Sequence, residues 1–250
     1  MNTANPAVRP VLHSEWIKIR SVRAVAWSLL GIVPAAVAIS VLAGATTGEG
    51  EADALGSDRL AGAFFGLNFG QIAAIAFGAT AVAGEYHQGA LRVSLSAVPD
   101  RTRFFLGKIT VIGVLALLVG WVAGLVSFLA GQAFMGSAAL GLGDAGVPRA
   151  VFGSGCYLAL MALFAAGLTA LLRSGAAVLG LLIPFVLIVS FVVGDTVGGV
   201  AQYLPDRAGQ AVLHQDTAGG PGPWSGLAVM ALWAGAALVA GWLAVHRRDA

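Results

Sequence analysis

Long apolar stretches alternate with short polar ones along the chain. A helix rises about 1.5 Å per residue, so about 20 apolar residues are needed to cross the hydrocarbon of a bilayer. Six stretches reach or approach this length, at about 24–44, 61–83, 109–131, 150–172, 175–194 and 224–245. The two-residue alternation that is typical of a membrane barrel is absent. The pattern therefore predicts an all-α, polytopic membrane protein with six transmembrane helices.

Three features modify this prediction locally. Pro34 and Pro184 lie inside the first and fifth spans, where a proline removes a helical hydrogen bond, so both helices should be kinked. Each kink serves either as a hinge or as a packing feature. The long polar segment 195–223 contains a pattern that predicts a short helix at the outer surface.

The composition supports a membrane location. Of the 250 residues, 58% are hydrophobic and 10% are charged, and the mean hydropathy is +0.86. Soluble domains are about 25% charged, so a soluble globule of this composition would lack a polar surface. Residues 1–10 are polar and are predicted to be disordered, whereas residues 11–250 are predicted to form a single transmembrane domain. A lipid membrane is the expected environment, and no nucleic acid is expected as a partner.

Residues 11–23 show a short amphipathic pattern before the first span. Trp16 and Ile19 share one helical face, and Lys18 lies opposite, with Arg20 adding a second basic group. Basic residues together with a tryptophan are typical of a helix that lies at the membrane surface. A plain basic flank of the first span would show a similar pattern at this length. An N-terminal interfacial helix with Trp16, Lys18 and Arg20 is therefore predicted, with the basic flank as the alternative.

Basic residues are unequally divided between the two sides of a six-span arrangement. One side holds Arg9, Lys18, Arg20, Arg23, Arg92, Arg101, Arg103, Lys108, Arg173, Arg247 and Arg248. The other side holds Arg59, Arg149 and Arg207. An excess of lysine and arginine marks the cytoplasmic side of a membrane protein. We therefore expect both termini to be cytoplasmic and the protein to lie in the plasma membrane.

The polar stretch 84–105, GEYHQGALRVSLSAVPDRTRFF, is longer than a connector between two membrane helices needs to be. Leu91, Val93, Leu95 and Val98 are scattered through it, together with Arg92, Arg101 and Arg103. Apolar knobs combined with charges are what a docking element uses, so a partner outside the lipid is predicted to bind here. Alternatively, the arginines only set the orientation of the chain. Glu85 is expected either to cap a helix end or to pair with Lys18 or Arg20.

The remaining polar residues argue against several kinds of chemistry. No G-x-x-x-x-G-K-[ST] phosphate-binding loop is present, so this chain is not expected to hydrolyse ATP. The chain has one cysteine, which lies in an apolar stretch, and four histidines, which lie outside the spans. No metal site and no catalytic residues are therefore expected. No ionisable residue lies deep in a span, which disfavours an ion-coupled pump. Asn68 and Gln71 share a face of the second span, and they either line a substrate path or bond neighbouring helices.

The segment 84–109 carries the most specific pattern in the chain. It is similar to the ABC-2 family, the membrane subunits of type-2 ABC exporters, and closest to bacterial permeases made separately from their ATPase. The family pattern is matched by Glu85, Tyr86, Gly89, Arg92, Ser94, Leu95, Pro99, Arg101 and Lys108. Residues 13–30 and the ending HRRDA show weaker similarity. His87, Gln88 and Ala90 depart mildly from the pattern, which bears on the choice of partner more than on the class.

The resemblance implies a coupling helix between the second and third spans that docks on a cytoplasmic ABC ATPase. The expected contacts with the ATPase are Glu85, Tyr86, Gly89, Leu91, Arg92, Ser94, Leu95, Pro99 and Arg101. The resemblance also implies two permease copies per transporter, and it places ATP and Mg on the partner ATPase, with no cofactor in this chain. The expected function is export or flipping of a hydrophobic or amphipathic substrate. The alternatives are an ion-coupled secondary transporter and a non-transporting membrane scaffold or sensor.

Overall fold

The computed structural model describes residues 8–52, 58–86, 90–98, 100–136, 139–189, 198–215 and 219–247. Within these ranges the chain is helical and forms no strands. Its helices are α1 Val8–Ser21, α2 Arg23–Leu30, α3 Ile32–Ala52, α4 Arg59–Ala63, α5 Leu67–Ala83, α6 Ala90–Ala97, α7 Arg101–Gln132, α8 Val147–Leu172, α9 Gly175–Pro184, α10 Pro205–Gln210 and α11 Pro223–Arg247. The predicted all-α membrane architecture is confirmed.

Five helical segments of the described chain are long and apolar enough to cross a membrane. They are Arg23–Thr46, Leu67–Tyr86, Arg101–Gln132, Val147–Leu172 and Pro223–Arg247. The predicted fifth span, 175–194, contains a shorter apolar helix over Gly175–Ile188. Residues 190–197 lie outside the described ranges. Five long spans and one shorter apolar helix therefore occupy the six predicted positions.

Several predicted boundaries need correction. Helix α1 begins at Val8, within the segment 1–10 that was predicted to be disordered. Pro10 is compatible with this start, because the first turn of a helix has no partner for its N–H groups. Residues 1–7 lie outside the described ranges. Helix α7 begins at Arg101, eight residues before the predicted span at 109, because the Asp100 side chain accepts hydrogen bonds from the Thr102 and Arg103 amides.

The two intraspan prolines lie at irregularities of the helices. The first span is divided into α2 and α3 at Gly31. Pro34 follows in the first turn of α3, where its ring would clash with the carbonyl group of Leu30 in a continuous helix. Pro184 ends α9, and one π-helical turn, Phe185–Val189, follows it. Both positions therefore show the departure from a straight helix that the sequence predicts.

Helix α8 lies at the centre of the bundle and packs against α5, α7 and α11. Small residues allow these helices to approach closely. A Cβ atom on Gly78 of α5 would collide with the Ala162 carbonyl group of α8. A Cβ atom on Gly167 of α8 would lie 2.6 Å from the Ala237 carbonyl carbon of α11. The high glycine content thus places backbones in direct contact around α8.

The basic side chains Lys18, Arg101 and Lys108 mark one end of the bundle, which we call the basic end. Contacts within the chain bring together here α1, α6, the start of α7 and the last turns of α5, α8 and α11. These are the segments that the predicted six-span arrangement places on one side of the membrane. The end that carries α4 and α10 is called the opposite end.

A short helix, α10, lies in the segment 195–223 at the opposite end, as the sequence predicts. Ala208 of α10 and Val212 of the following 3-10 turn, Ala211–Leu213, are fully buried, and α10 packs against α11. A Cβ atom on Gly226 of α11 would collide with the Ala208 carbonyl oxygen. Apolar side chains and a glycine contact thus pack this segment against the bundle, and its place at the outer membrane surface stays a prediction.

Candidate functional site

Four charged side chains meet at the basic end, and we call them, together with Ser94, the ion cluster. Glu15 and Lys18 project from α1, and Lys108 projects from the second turn of α7. Glu85 lies on a 3-10 turn, Gly84–Tyr86, that directly follows α5. Ser94 lies in the middle of α6. The ion cluster thus joins four separate segments of the chain.

The Lys18 ammonium group makes three polar contacts. Its Nζ atom is 2.9 Å from Glu15 Oε1, 2.8 Å from Glu85 Oε1 and 3.1 Å from Ser94 Oγ. Ser94 in turn donates a hydrogen bond of 2.7 Å to Glu85 Oε2. Lys18 is therefore the residue that links α1 to both the end of α5 and α6.

The Lys108 ammonium group binds the same two carboxylates from the other side. Its Nζ atom is 3.0 Å from Glu85 Oε1 and also donates to Glu15 Oε2. The Nζ atoms of Lys18 and Lys108 both lie 5.6 Å from the centre of the Phe104 ring, within the range of a cation–π contact. Each carboxylate oxygen of the ion cluster has at least one donor.

The ion cluster is buried and carries no net charge, since two carboxylates face two ammonium groups. Glu15, Glu85 and Lys108 are only 2%, 5% and 5% exposed, whereas the Lys18 side chain is 40% exposed. Burial alone would lower the pKa of Lys18, but the hydrogen bonds to Glu85 and Glu15 outweigh it and raise this pKa above its usual value. Lys18 is therefore charged at neutral pH.

Tyr86 extends the connection to α8. Its hydroxyl group donates a hydrogen bond of 3.2 Å to the Ala170 carbonyl oxygen in the last turn of that helix. The guanidinium group of Arg173 lies 5.8 Å from the centre of the Tyr86 ring. Arg173 ends α8 with a φ of +55°, a left-handed conformation that commonly closes a helix. Adjacent residues, Glu85 and Tyr86, thus bind different parts of the bundle.

Arg101 connects the start of α7 to the last span. Its Nη1 atom donates to the carbonyl oxygens of Val245 and His246, at 2.6 and 3.2 Å. Thr102 Oγ1 forms a 3.2 Å hydrogen bond with His246 Nε2. A cation is favourable at the C-terminal end of a helix, where backbone carbonyl groups lack partners. The structure thus places Arg101, which the sequence predicted as a contact with an ATPase, in a contact within the chain.

Helix α6 occupies the position predicted for the coupling helix. Leu91 is buried against the bundle, and Ser94, three residues later on the same face, enters the ion cluster. Arg92 is exposed, and Val93 is 70% exposed. Gly89, Pro99 and the side chain of Leu95 lie outside the part of the chain that the structure describes. The described residues give α6 one inner and one outer face.

Helix α1 supplies the other predicted residues at this end. Trp16 and Arg20 are exposed, whereas Ile19 is buried. Lys18 and Arg20 of this helix were the two predicted partners of Glu85, and in the structure Glu85 pairs with Lys18. The role of Glu15 was not predicted, although its spacing of three residues from Lys18 indicates a pair on one helical face.

Asn68 and Gln71 lie at the opposite end, far from the ion cluster along α5. Gln71 accepts a hydrogen bond from the Tyr157 hydroxyl of α8. Gln210 of α10 donates to Asn68 Oδ1 at 3.0 Å and to Tyr157 Oη at 3.1 Å. These four side chains, which we call the amide network, bond three helices to one another. That is the arrangement expected of hydrogen bonds between neighbouring helices.

Within the described ranges, histidine, cysteine, aspartate and glutamate side chains form no group of three that could hold a metal ion. The polar groups of the ion cluster are engaged with one another. The geometry there supports a mechanical connection between segments.

Comparison with known families gives this arrangement a context. The model of a family described as "ABC-2 family transporter protein" matches residues 19–218, which is more than half of the chain. The matched region contains Glu85, Ser94 and Lys108, and it begins directly after Lys18. No curated protein matches the chain. The chain therefore belongs to the ABC-2 transporter family and is a membrane permease of an ABC transporter.

Proposed function

We propose that this chain couples ATP hydrolysis by a separate cytoplasmic ATPase subunit to the export or flipping of a hydrophobic or amphipathic substrate. One observation carries the proposal. Helix α6 is joined to α1 and α5 through the ion cluster, and Arg101 at the start of the next helix binds the end of α11. A partner that displaces α6 would therefore pull on several spans at once.

The contacts around α6 suit the transmission of a displacement. A buried ion pair with further hydrogen bonds resists the loss of either partner, so its members move together. Packed elements joined in this way respond by shifting as rigid bodies. The outer face of α6, with Arg92 and Val93, offers an ATPase the charge and the apolar surface that a docking contact needs.

The proposal includes an orientation and an assembly. The basic end faces the cytoplasm of a cell bounded by the plasma membrane, because lysine and arginine are retained on that side. Both termini are then cytoplasmic. The ATPase binds ATP and Mg, and a second copy of this permease completes the transporter as a homodimer. The apolar spans favour an apolar cargo, and Asn68 and Gln71 are candidates for polar contacts along its path.

Co-expression with a cytoplasmic ABC ATPase subunit from the same genome tests the proposal. We expect the two proteins to copurify and the permease to stimulate ATP hydrolysis in vesicles. The double variant Arg92→Glu with Val93→Asp changes two exposed residues of α6 and should abolish both effects. Arg247→Glu, an exposed charge reversal at the same end of the bundle, should leave them intact. Undiminished copurification and stimulation with the double variant would refute α6 as the docking element.

A further inference from the structure

Residues from three connections between spans meet at the opposite end. Asp58 is the N-cap of α4, between the first and second spans, and Arg149 lies in the first turn of α8. His214 and Gln215 directly follow the 3-10 turn behind α10. We call residues 205–215 the strap, because they extend from a contact with α11 to a contact with Asp58.

The end of the strap is held from two sides. Asp58 Oδ2 accepts a hydrogen bond of 2.8 Å from His214 Nδ1, and both carboxylate oxygens accept from the Gln215 amide at 3.1 Å. Arg149 Nη2 donates to the His214 carbonyl oxygen at 2.5 Å. We call these four residues the latch. The latch joins the strap to the starts of α4 and α8.

The rest of the strap packs directly onto α8 and α11. A Cβ atom on Gly209 would lie 2.5 Å from the Tyr157 ring of α8. A Cβ atom on Gly153 of α8 would likewise collide with Val212 of the strap. Together with the contact of α10 with Gly226, these approaches bring the strap against both helices. A molecule that leaves the bundle between α8 and α11 at this end must therefore displace the strap.

The two ends of the strap are fastened differently. Trp233 of α11 donates a hydrogen bond of 3.0 Å from Nε1 to the Tyr203 carbonyl oxygen, two residues before the strap. That contact joins the strap to a helix on which it already packs, whereas the latch joins it to α4 and α8. The His214 side chain is 42% exposed and that of Asp58 is 19% exposed. Because water can replace a partner at an exposed hydrogen bond, the latch can open at little cost.

We propose that the strap closes the opposite end and that the latch is its releasable fastening. When the latch opens, the strap swings away from α4 and α8 but stays attached to α11 through Tyr203. The inference rests on the proposed function, because the ATPase drives the opening and the cargo leaves past the strap. Asp58, Arg149 and His214 act here as positioning residues that hold the strap.

Hydrogen exchange of the full-length chain in vesicles tests the fastening. The double variant His214→Phe with Arg149→Met keeps an aromatic ring and an aliphatic stem but removes both side-chain donors of the latch. Exchange in a peptide that covers the strap should become about tenfold faster, because the strap then opens more often. Asp144→Ala is the matched control, since this carboxylate lies at the same end and accepts from the Gly141 amide at 2.7 Å. It should leave exchange in the strap unchanged.

Exchange in α5 reports on the fold in the same experiment. It should stay slow in both variants, which shows that the bundle is intact. Slow exchange in α5 together with unchanged exchange in the strap of the double variant would overturn the latch.

A second measurement uses the natural chain in complex with a cytoplasmic ABC ATPase. Exchange in the strap should be several-fold faster with ATP and Mg than with ADP and Mg, since ATP drives the opening. Equal exchange with the two nucleotides, in a complex whose ATP hydrolysis the permease stimulates, would overturn the release and leave the proposed function intact. Failure of the two proteins to copurify would refute the proposed function, and the release with it.

A zinc lock supplies the third arm. Asp58→His places a second imidazole beside His214, and imidazole nitrogens are zinc ligands. Zinc should therefore abolish the acceleration by ATP in this variant, and a chelator should restore it. The variant Asp58→His with His214→Phe lacks the second imidazole and should keep the acceleration with or without zinc. Acceleration that persists with zinc in the single variant would contradict a release at the latch.

Discussion

The two ends of this bundle are held by different kinds of polar contact. At the basic end, the buried contacts of the ion cluster join charged groups. At the opposite end, the amide network joins uncharged ones, Asn68, Gln71, Tyr157 and Gln210. Asp58 Oδ2 and His214 Nδ1 also lie 2.8 Å apart there, and the histidine side chain is 42% exposed. This end buries one carboxylate as well, Asp206, which is 3% exposed. The main buried contacts thus join charged side chains at the basic end and neutral side chains in the amide network.

This difference has a mechanical meaning. Removing one partner of a buried ion pair leaves an unpaired charge, so all members of the ion cluster must move together. Tyr157 donates a hydrogen bond to Gln71 and accepts one from Gln210. If one of these neutral contacts is lost, the other can remain. Under the proposed function, the stiff connection lies at the end that the ATPase drives, and the more exchangeable contacts lie at the other end.

Glu85→Gln should have the largest effect on stability. The change leaves Lys18 and Lys108 facing a neutral group in a buried site, so we expect a loss of about 3–5 kcal/mol in unfolding free energy. Unfolding in mixed detergent micelles measures it. The double variant Glu85→Gln with Lys108→Met should lose less than the sum of the two single variants, since these residues are in contact. Additive losses would show that the two side chains do not interact.

Gln71→Leu at the opposite end should cost about 1 kcal/mol, because hydrogen bonds between membrane helices contribute modestly and Tyr157 retains Gln210. The same unfolding assay applies. Gln71→Glu serves as a companion variant and should be worse than leucine, since it places an unpaired charge in a buried position. A cost for Gln71→Leu that equals the cost of Glu85→Gln would remove the contrast between the two ends.

Arg101→Ala should loosen only the last turn of α11. It removes the donor to the Val245 and His246 carbonyl oxygens, and contacts of this kind with a helix end contribute about 0.3–1 kcal/mol. Hydrogen exchange at residues 243–247 should accelerate, while exchange in α8 stays as it is. Arg103→Ala is the control, because Arg103 pairs with Asp100 on the exposed surface. Equal exchange in both variants would contradict the connection to α11.

The contribution of Lys18 should be insensitive to pH through the physiological range. Its folded-state pKa is raised, so the stability it provides is present below the unfolded value, about 10.4, and is lost only as the pH rises through the folded value. The stability difference between the natural chain and Lys18→Met should therefore be constant from about pH 6 to pH 9. A difference that already falls within that interval would contradict the raised pKa.

The length of the apolar stretches predicted the fold correctly, but it did not predict some of the helix boundaries. Apolar length located α8 and α11 to within three residues of the prediction. The polar first turns of α7 were missed, because an apolar criterion does not register a capped polar segment. The burial of α10 was also missed, since small and weakly polar residues give no periodic signal there. These errors arise where local chemistry or distant packing, and not hydropathy, determines the structure.

The contacts of the candidate site were likewise predicted only in part. The pairing of Glu85 with Lys18 was among the predictions, because both residues lie at the predicted boundary of the same side of the membrane. Glu15 was overlooked among basic neighbours. The contact of Arg101 with Val245 could not be predicted from the sequence, since 144 positions separate the two residues. The sequence therefore indicates roughly where helices end, but not which helix ends contact one another in the fold.

The ion cluster draws on residues 15 to 108 only, although the chain continues to residue 250. All of its members are therefore synthesised before α8. Domains and their parts assemble in the order of synthesis, so the charges of α1, α5 and α7 can neutralise one another early in membrane insertion. The contact of Arg101 with Val245 can form only after the last span has been synthesised. It therefore forms later than the contacts of the ion cluster can.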